Sequence, residues 1–283
     1  MATADSVLLS GGQVATVEAD RWAPARLELV VDGTPQSSVN LEDPTDLAFE
    51  YVERIGHVID RLAEPGAPIT AVHFGAGAMT LPRYVEWTRP GSRQQVVELE
   101  RELVELVRSR MPLPPRASIR IRYGDARAVA ERLPPGLLGT ADLVVVDVFA
   151  GATIPAQCAT QEFYRLAAAP LHAQGVMAVN VADGAGLAFA RGQIATVRSV
   201  LPHVAVLAEA QVMKGRRFGN LVVVGARDAR LLEWLPRLVA AGPHPARAAS
   251  GDELDQLVRG AAVVVDATAQ PSPDPGRGIF TQR

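Results

Sequence analysis

Ile69-Thr70-Ala71-Val72-His73-Phe74-Gly75-Ala76-Gly77-Ala78 is the stretch on which the fold turns. Ile69 to Phe74 is a short apolar run. It ends in a tight glycine turn, Gly75 to Gly77, and Leu81 to Trp87 then reads as a helix. Downstream the same rhythm repeats. Gln95–Val97 is a second strand, followed by a helix from about Arg101 to Arg110. Ser118–Arg122 is a third, followed by a helix through Val129 and Leu133. Leu143–Val146 is fully apolar, which marks a strand buried on both faces. Val176–Val179, Ala205–Ala208 and Leu221–Val224 bring the count to seven. Strands alternating with helices predict an α/β fold with a doubly wound, Rossmann-like, mostly parallel sheet.

Working outward, Ser6 to Asn40 reads as short strands. Val14–Glu18 and Leu27–Val31 alternate, and Asp32-Gly33 is a hairpin signal before Gln36–Asn40. Asp43-Pro44 reads as the start of a helix that carries Leu47, Tyr51, Ile55, Val58, Ile59 and Leu62 at helical spacing. Leu231 to Asp266 is expected to hold another helix and a strand at Val263–Val265. The tail from Gln270, with Pro271, Pro273 and Pro275, is expected to be irregular. The expected organisation is a β unit over 1–45, an alternating strand–helix domain over 46–228 and a C-terminal extension over 229–283.

Composition removes several classes of function. At 283 residues the chain can bury a core without disulfide or metal staples. Its single cysteine, Cys158, excludes an internal disulfide and a cysteine-rich zinc site, and fits a reducing, cytoplasmic setting. The net charge of −3 gives no general attraction to nucleic acid or to an acidic membrane. Met1 to Asp20 lacks a basic segment followed by a long apolar run, and no apolar run reaches membrane-spanning length. The five histidines are scattered without ligand spacing, so no metal is expected. Trp22, Trp87 and Trp234 are expected to pack rather than bind.

In doubly wound sheets, ligands sit beyond the carboxyl ends of the strands. Four polar or permissive groups fall there in order. Gly75 and Gly77 let a ligand approach the backbone near a helix N-terminus, although a glycine turn can equally serve tight packing. Glu98 ends the second strand, at the distance from the glycine turn where a carboxylate takes ribose hydroxyls; Glu100 follows it and could equally be a solvated acid at a helix start. Gly124-Asp125 follows the third strand, where Asp125 can accept from an adenine amine, cap the next helix, or do both. Asp147 ends the apolar Val144-Val145-Val146 run, and a carboxylate there is costly unless wet, paired or functional. The turn lacks the third glycine of a dinucleotide site, and there is no Walker lysine. A nucleoside such as S-adenosylmethionine fits better than a pyrophosphate.

These segments together resemble the spermidine synthases, over roughly Ala25 to Val224. Val31-Asp32-Gly33-Thr34-Pro35-Gln36 resembles the family's hairpin ending in Asp-Gly-x-x-Gln. His73 through Arg83 resembles its glycine-rich loop, Val97-Glu98-Leu99-Glu100 its ribose segment and Gly124-Asp125-Ala126 its adenine segment. Asp142 through Asp147, with Pro155 and Glu162-Phe163-Tyr164, resembles its catalytic strand and loop. The resemblance implies the S-adenosylmethionine methyltransferase fold behind a small N-terminal β unit. It also implies aminopropyl transfer from decarboxylated S-adenosylmethionine to a polyamine-type amine, with no metal. Gln36, Gly75, Gly77, Glu98, Asp125 and Ala126 would hold the nucleoside, and Asp147 would position and deprotonate the amine. A homodimer is the assembly it implies.

This chain departs from the family pattern on the amine side. Gly77, or Ala78 on a one-residue slip, stands at the family's loop Asp. Ala150 stands at its second catalytic-loop Asp, and Phe49-Glu50 at its Tyr-His. Losing the loop Asp makes room for a carboxylate on the donor, so intact S-adenosylmethionine with methyl transfer is an alternative, and a non-catalytic nucleoside-binding protein is another. Arg216-Arg217 reads either as an anion site or as a hairpin turn with solvated arginines. Asn180 and Asp183 could reach substrate or cap the next helix.

Overall fold

The computed structural model describes residues 6–21 and 23–274. Trp22 and Pro275 lie outside the described residues. Four strands come first: β1 (Ser6–Leu8), β2 (Val14–Ala19), β3 (Arg26–Val31) and β4 (Thr34–Asn40). They form an antiparallel sheet in the order β1-β2-β3-β4. The Asp32-Gly33 turn joins β3 to β4 with both residues at positive φ, 48° and 77°. That is the two-residue geometry an Asp-Gly pair favours.

The chain then alternates. In order come α1 (Glu50–Ile59), β5 (Thr70–Phe74), α2 (Thr80–Thr88), β6 (Arg93–Glu98), α3 (Arg101–Arg110), β7 (Ser118–Tyr123), α4 (Ala126–Ala130) and β8 (Ala141–Val146). Next are α5 (Gln161–Ala168), β9 (Leu171–Asp183), α6 (Ala188–Arg198), β10 (His203–Glu209), α7 (Ala210–Met213), β11 (Gly219–Ala226) and α8 (Arg230–Ala241). The described chain closes with β12 (Ala246–Ala249) and α9 (Gly251–Leu257). The large sheet has the order β12-β10-β11-β9-β8-β5-β6-β7. Strands β7, β6, β5, β8 and β9 pair in parallel; β11 pairs antiparallel with β9 and β10, and β12 antiparallel with β10.

The sheet is buried on both faces by alternation along each strand. Val72, Phe74, Val144 and Val146 face one core with α5 and α6. Ala71, Leu143 and Val145 face the other, with α1, α2 and α8. Helix α3 is shared. Val104 packs with Ala76, Met79 and Val96, while Leu103, Leu106 and Val107 pack with Leu29, Val31 and Val39 of the small sheet. Among the described residues no helix is long and apolar enough to cross a membrane.

Several expectations need correction. The large sheet has eight strands, because Ala246–Ala249 adds an edge that its composition hides. Val263–Val265 is extended but joins no sheet. Its backbone is taken up elsewhere: Gln161 N donates to Val264 O at 2.8 Å, and Val264 N donates to Thr196 Oγ1 at 2.9 Å. Leu231–Asp266 holds two helices, not one. Helix α1 begins at Glu50 rather than at Asp43-Pro44. Asp43 instead closes a local turn, accepting from Thr45 N and Oγ1 at 3.0 and 2.6 Å, and Asp46 is held by Arg26 and Asn40. The helix after β7 stops at Ala130, short of Leu133. Trp234 packs as expected, with the Arg230 guanidinium 5.4 Å from its ring centre, but Trp87 is 56% exposed.

Candidate active site

Strands β5 and β8 are neighbours, yet the chain leaves β5 toward β6 and returns to β8 on the other side. That reversal opens a crevice at their carboxyl ends. The glycine turn and Asp147 meet there. Asp147 N donates to Phe74 O at 2.8 Å, and Gly75 N donates to Val97 O at 2.9 Å. Gly75 has φ 93°, and a Cβ on it would run into the carbonyl oxygen of Asp147. Gly77 has φ 48°, and a Cβ there would collide with Ser37 Oγ. A side chain is excluded at Gly75 by backbone, and one at Gly77 would have to displace Ser37 at a strained φ, so the glycines leave the backbone bare toward the crevice. Ala78 is fully buried among residues of the small sheet.

Glu98 ends β6 and ties the two loops together. Its Oε2 accepts from Ala76 N at 2.9 Å and its Oε1 from Glu100 N at 3.0 Å. Burial pushes its pKa up against the pull of those backbone donors. Each oxygen keeps a second lone pair for a ligand hydroxyl. Glu100 is turned away to Ser10, whose N donates to Oε2 at 2.9 Å and whose hydroxyl bonds Oε1. Asp125 caps α4, its Oδ1 accepting from Ala128 N at 3.0 Å, while Gln157 Nε2 approaches its Oδ2 at 3.3 Å. Ala126, the first residue of α4, is buried. Gln36 sits at a β-bulge: Leu29 pairs with Ser37 and Val30 with Pro35, which leaves Gln36 unmatched between them. Its neighbour Ser37 touches the Gly77 turn, so the bulge lies at the glycine loop.

Asp147 is the centre of a polar network that the sequence pattern did not reveal. Tyr51 Oη donates to its Oδ2 at 3.1 Å and Asn180 Nδ2 to its Oδ1 at 2.8 Å. Asn180 Oδ1 in turn accepts from Asn220 Nδ2 at 2.9 Å. Burial raises the Asp147 pKa, and the two donors offset part of that rise. Burial and the adjacent carboxylate push the Tyr51 phenol well above its ordinary value, so it stays protonated and donates. Tyr51 was visible only as a helix-face residue, and it stands one position beyond the Phe49-Glu50 pair matched to the family's Tyr-His. Asp183 caps instead, accepting from Gly184 N at 2.7 Å and Ala190 N at 2.8 Å.

Arg217 is half-exposed, but acids pair with it, so it is not an open anion site. Its Nε donates to Glu209 Oε2 at 3.1 Å, and its Nη2 lies 3.9 Å from Glu50 Oε1. Arg54 pairs with the same Glu50 at 3.2 Å. The loop from Val148 to Pro155 is braced by the tail. Ile154 N donates to Ser272 Oγ at 2.8 Å, Ser272 N donates back to Ile154 O at 3.1 Å, and Asp266 takes a forked pair from Arg127 at 2.5 and 2.6 Å.

No family model matches the chain, and no curated protein does. Among solved structures, a probable spermidine synthase from Corynebacterium glutamicum is 30% identical, covers 94% of this chain and 97% of its own, and superposes with a TM-score of 0.80. The chain belongs to the spermidine synthase family. A spermidine synthase from Thermotoga maritima covers 90% of this chain and 87% of its own at 14% identity and TM-score 0.62. Human methyltransferase-like protein 13, in complex with SAH, covers 74% and 91% at 17% identity and TM-score 0.53. These two share the fold, which is that of the S-adenosylmethionine methyltransferases. Glu98 ends β6 and Asp125 follows β7, so both carboxylates stand at the carboxyl edge of the parallel strands. Asp147 follows β8 at the same edge, with Tyr51 as its hydroxyl partner.

Proposed function

We propose that the protein is an aminopropyltransferase. It binds decarboxylated S-adenosylmethionine and transfers the aminopropyl group to an aliphatic amine, the acceptor chemistry of polyamine synthesis. The observation that carries this reading is the Asp147 carboxylate, held by Tyr51 and Asn180 at the crevice between β5 and β8, beside the bare Gly75–Gly77 backbone. Membership of the spermidine synthase family supports it, as does the SAH bound by one fold neighbour. Gln36, Gly75, Gly77, Glu98, Asp125 and Ala126 form the nucleoside side, with Glu98 receiving the ribose hydroxyls.

The donor supplies an electrophilic carbon next to a sulfonium. Asp147 accepts the proton of the incoming ammonium, because only the neutral amine attacks. Its raised pKa makes it a stronger base than an exposed carboxylate. Tyr51 and Asn180 fix its two oxygens so that a remaining lone pair faces the acceptor. The nitrogen–carbon bond forms as the carbon–sulfur bond breaks, and methylthioadenosine leaves. No metal takes part, and the reading places the enzyme in the cytoplasm as a homodimer with no nucleic-acid partner.

One observation favours a second reading. Gly77 and Ala78 leave no carboxylate to meet a donor amine and none to repel a donor carboxylate. Intact S-adenosylmethionine with methyl transfer fits that gap. Calorimetric binding of decarboxylated S-adenosylmethionine, the intact form and methylthioadenosine separates the two. Tighter binding of the decarboxylated donor supports aminopropyl transfer, tighter binding of the intact form supports methyl transfer, and binding of none of the three removes the nucleoside site.

A further inference from the structure

The charges around Asp147 are already spent on one another. Glu209 holds Arg217 and accepts from Gln211 N and Val212 N. Glu50 stands between Arg54 and Arg217. Asp183 has one oxygen on Gly184 N in the loop that follows it and the other on Ala190 N in the first turn of α6. The loop that leaves Asp147 adds nothing: from Val148 to Gln161 the only ionisable side chain is Cys158, which is buried with its thiol pushed up to about 12. The residues that first follow Asp147 are Val148, Phe149 and Ala150, an apolar start to that wall. Arg217, 49% exposed, is tied to Glu50, the residue directly before the Tyr51 that bonds Asp147.

We propose that this site selects an acceptor with one ammonium and an uncharged alkyl remainder, a primary monoamine, rather than a diamine. The inference rests on the transferase reading and narrows its acceptor. An ammonium at Asp147 finds a carboxylate and, through Tyr51 and Asn180, a rigid one. A second ammonium along the same chain meets an apolar loop and the guanidinium of Arg217, and among the described residues on that side Glu50, Glu209 and Asp183 are already paired. A cation stripped of water without a partner binds worse than a methyl group of the same size.

The test is calorimetric titration of the wild-type protein, saturated with methylthioadenosine, with n-butylamine and with 1,4-diaminobutane. The expected result is that n-butylamine binds at least as tightly as the diamine. Diamine binding tighter by about tenfold or more, the worth of one charge-assisted hydrogen bond, overturns the inference and leaves the transferase reading standing. Binding of the nucleoside with no binding of either amine also overturns it. Failure to bind methylthioadenosine removes the nucleoside site and the inference with it. Arg217→Gln gives an independent arm, since it removes a guanidinium and leaves Glu50 with Arg54 alone and Glu209 with its backbone donors. In that variant the diamine should tighten by about tenfold while n-butylamine is unchanged. An unaltered diamine affinity there overturns the role given to Arg217.

Discussion

Replacing Asp147 by Asn separates base chemistry from architecture. The amide keeps the carboxylate's shape. Its oxygen still accepts from Asn180 Nδ2, and its nitrogen faces Tyr51, whose hydroxyl can turn to accept instead of donate. Both hydrogen bonds survive and the negative charge disappears. Removing a general base costs about 10²–10⁴ in rate, or about 2.7–5.4 kcal/mol of transition-state stabilisation. Nucleoside affinity should change by less than about threefold, because Glu98 and the glycine loop are untouched. Stability moves the other way. The pKa of Asp147 is raised in the folded protein, so holding the ionised form costs stability at neutral pH. That cost vanishes as pH falls below the ordinary carboxylate range, where the group is protonated folded and unfolded alike. Asp147→Asn should therefore be at least as stable as the parent in urea at pH 7, with the advantage gone near pH 3. Single-turnover transfer, calorimetry and urea melts at the two pH values measure all three effects. Unchanged turnover in the variant would refute the base assignment, and a large loss of stability at pH 7 would refute the account of the network.

Tyr51→Phe removes one of the two donors to Asp147; turnover should fall about tenfold with nucleoside binding unchanged, and equal loss of both would make Tyr51 a structural residue only. Glu98→Gln keeps one acceptor for two backbone donors, so nucleoside affinity by calorimetry should drop about tenfold or more; an unaltered affinity would take the ribose role from Glu98. Gly75→Ala puts a methyl against the Asp147 carbonyl at φ 93° and should destabilise the fold by at least about 2 kcal/mol in a thermal melt. His73 is buried, its Nε2 bonds Gln94 Oε1 at 3.1 Å, and burial lowers its pKa to about 4. The unfolded chain takes a proton near pH 6.5 and the folded protein resists until about 4. Stability should therefore fall by roughly 3 kcal/mol across that window, and His73→Gln should flatten that part of the urea–pH profile.

The strand ends were legible because their signals are local. Val144-Val145-Val146-Asp147 announces a buried strand and a costly carboxylate within four residues, and Asp32-Gly33 announces its own turn. What escaped was long-range. Tyr51 meets Asp147 across 96 positions, and its place on α1 fits the core-facing pattern equally well. Arg217 is told apart from a solvated arginine only by Glu50 and Glu209, which lie on other elements. The eighth strand, Ala246–Ala249, has almost no β-propensity and forms because β10 offers it an edge. The three valines at 263–265 have that propensity and no edge to pair with. Asp43-Pro44 carries a start signal that local side chains divert into a turn.

The brace between Ile154 and Ser272 sets the order in which the molecule can be finished. The two residues lie 118 positions apart, and Arg127 reaches its fork on Asp266 across 139. The large sheet's parallel centre is complete once β9 has been made, long before either partner exists. A chain emerging from the ribosome can therefore close its hydrophobic core while the wall beside Asp147 still lacks its fastening. Contacts of such separation form late in refolding as well, after their loop-closure cost is met by the core. Competence to hold an acceptor should then trail the return of sheet structure, making catalytic recovery the slower of two clocks.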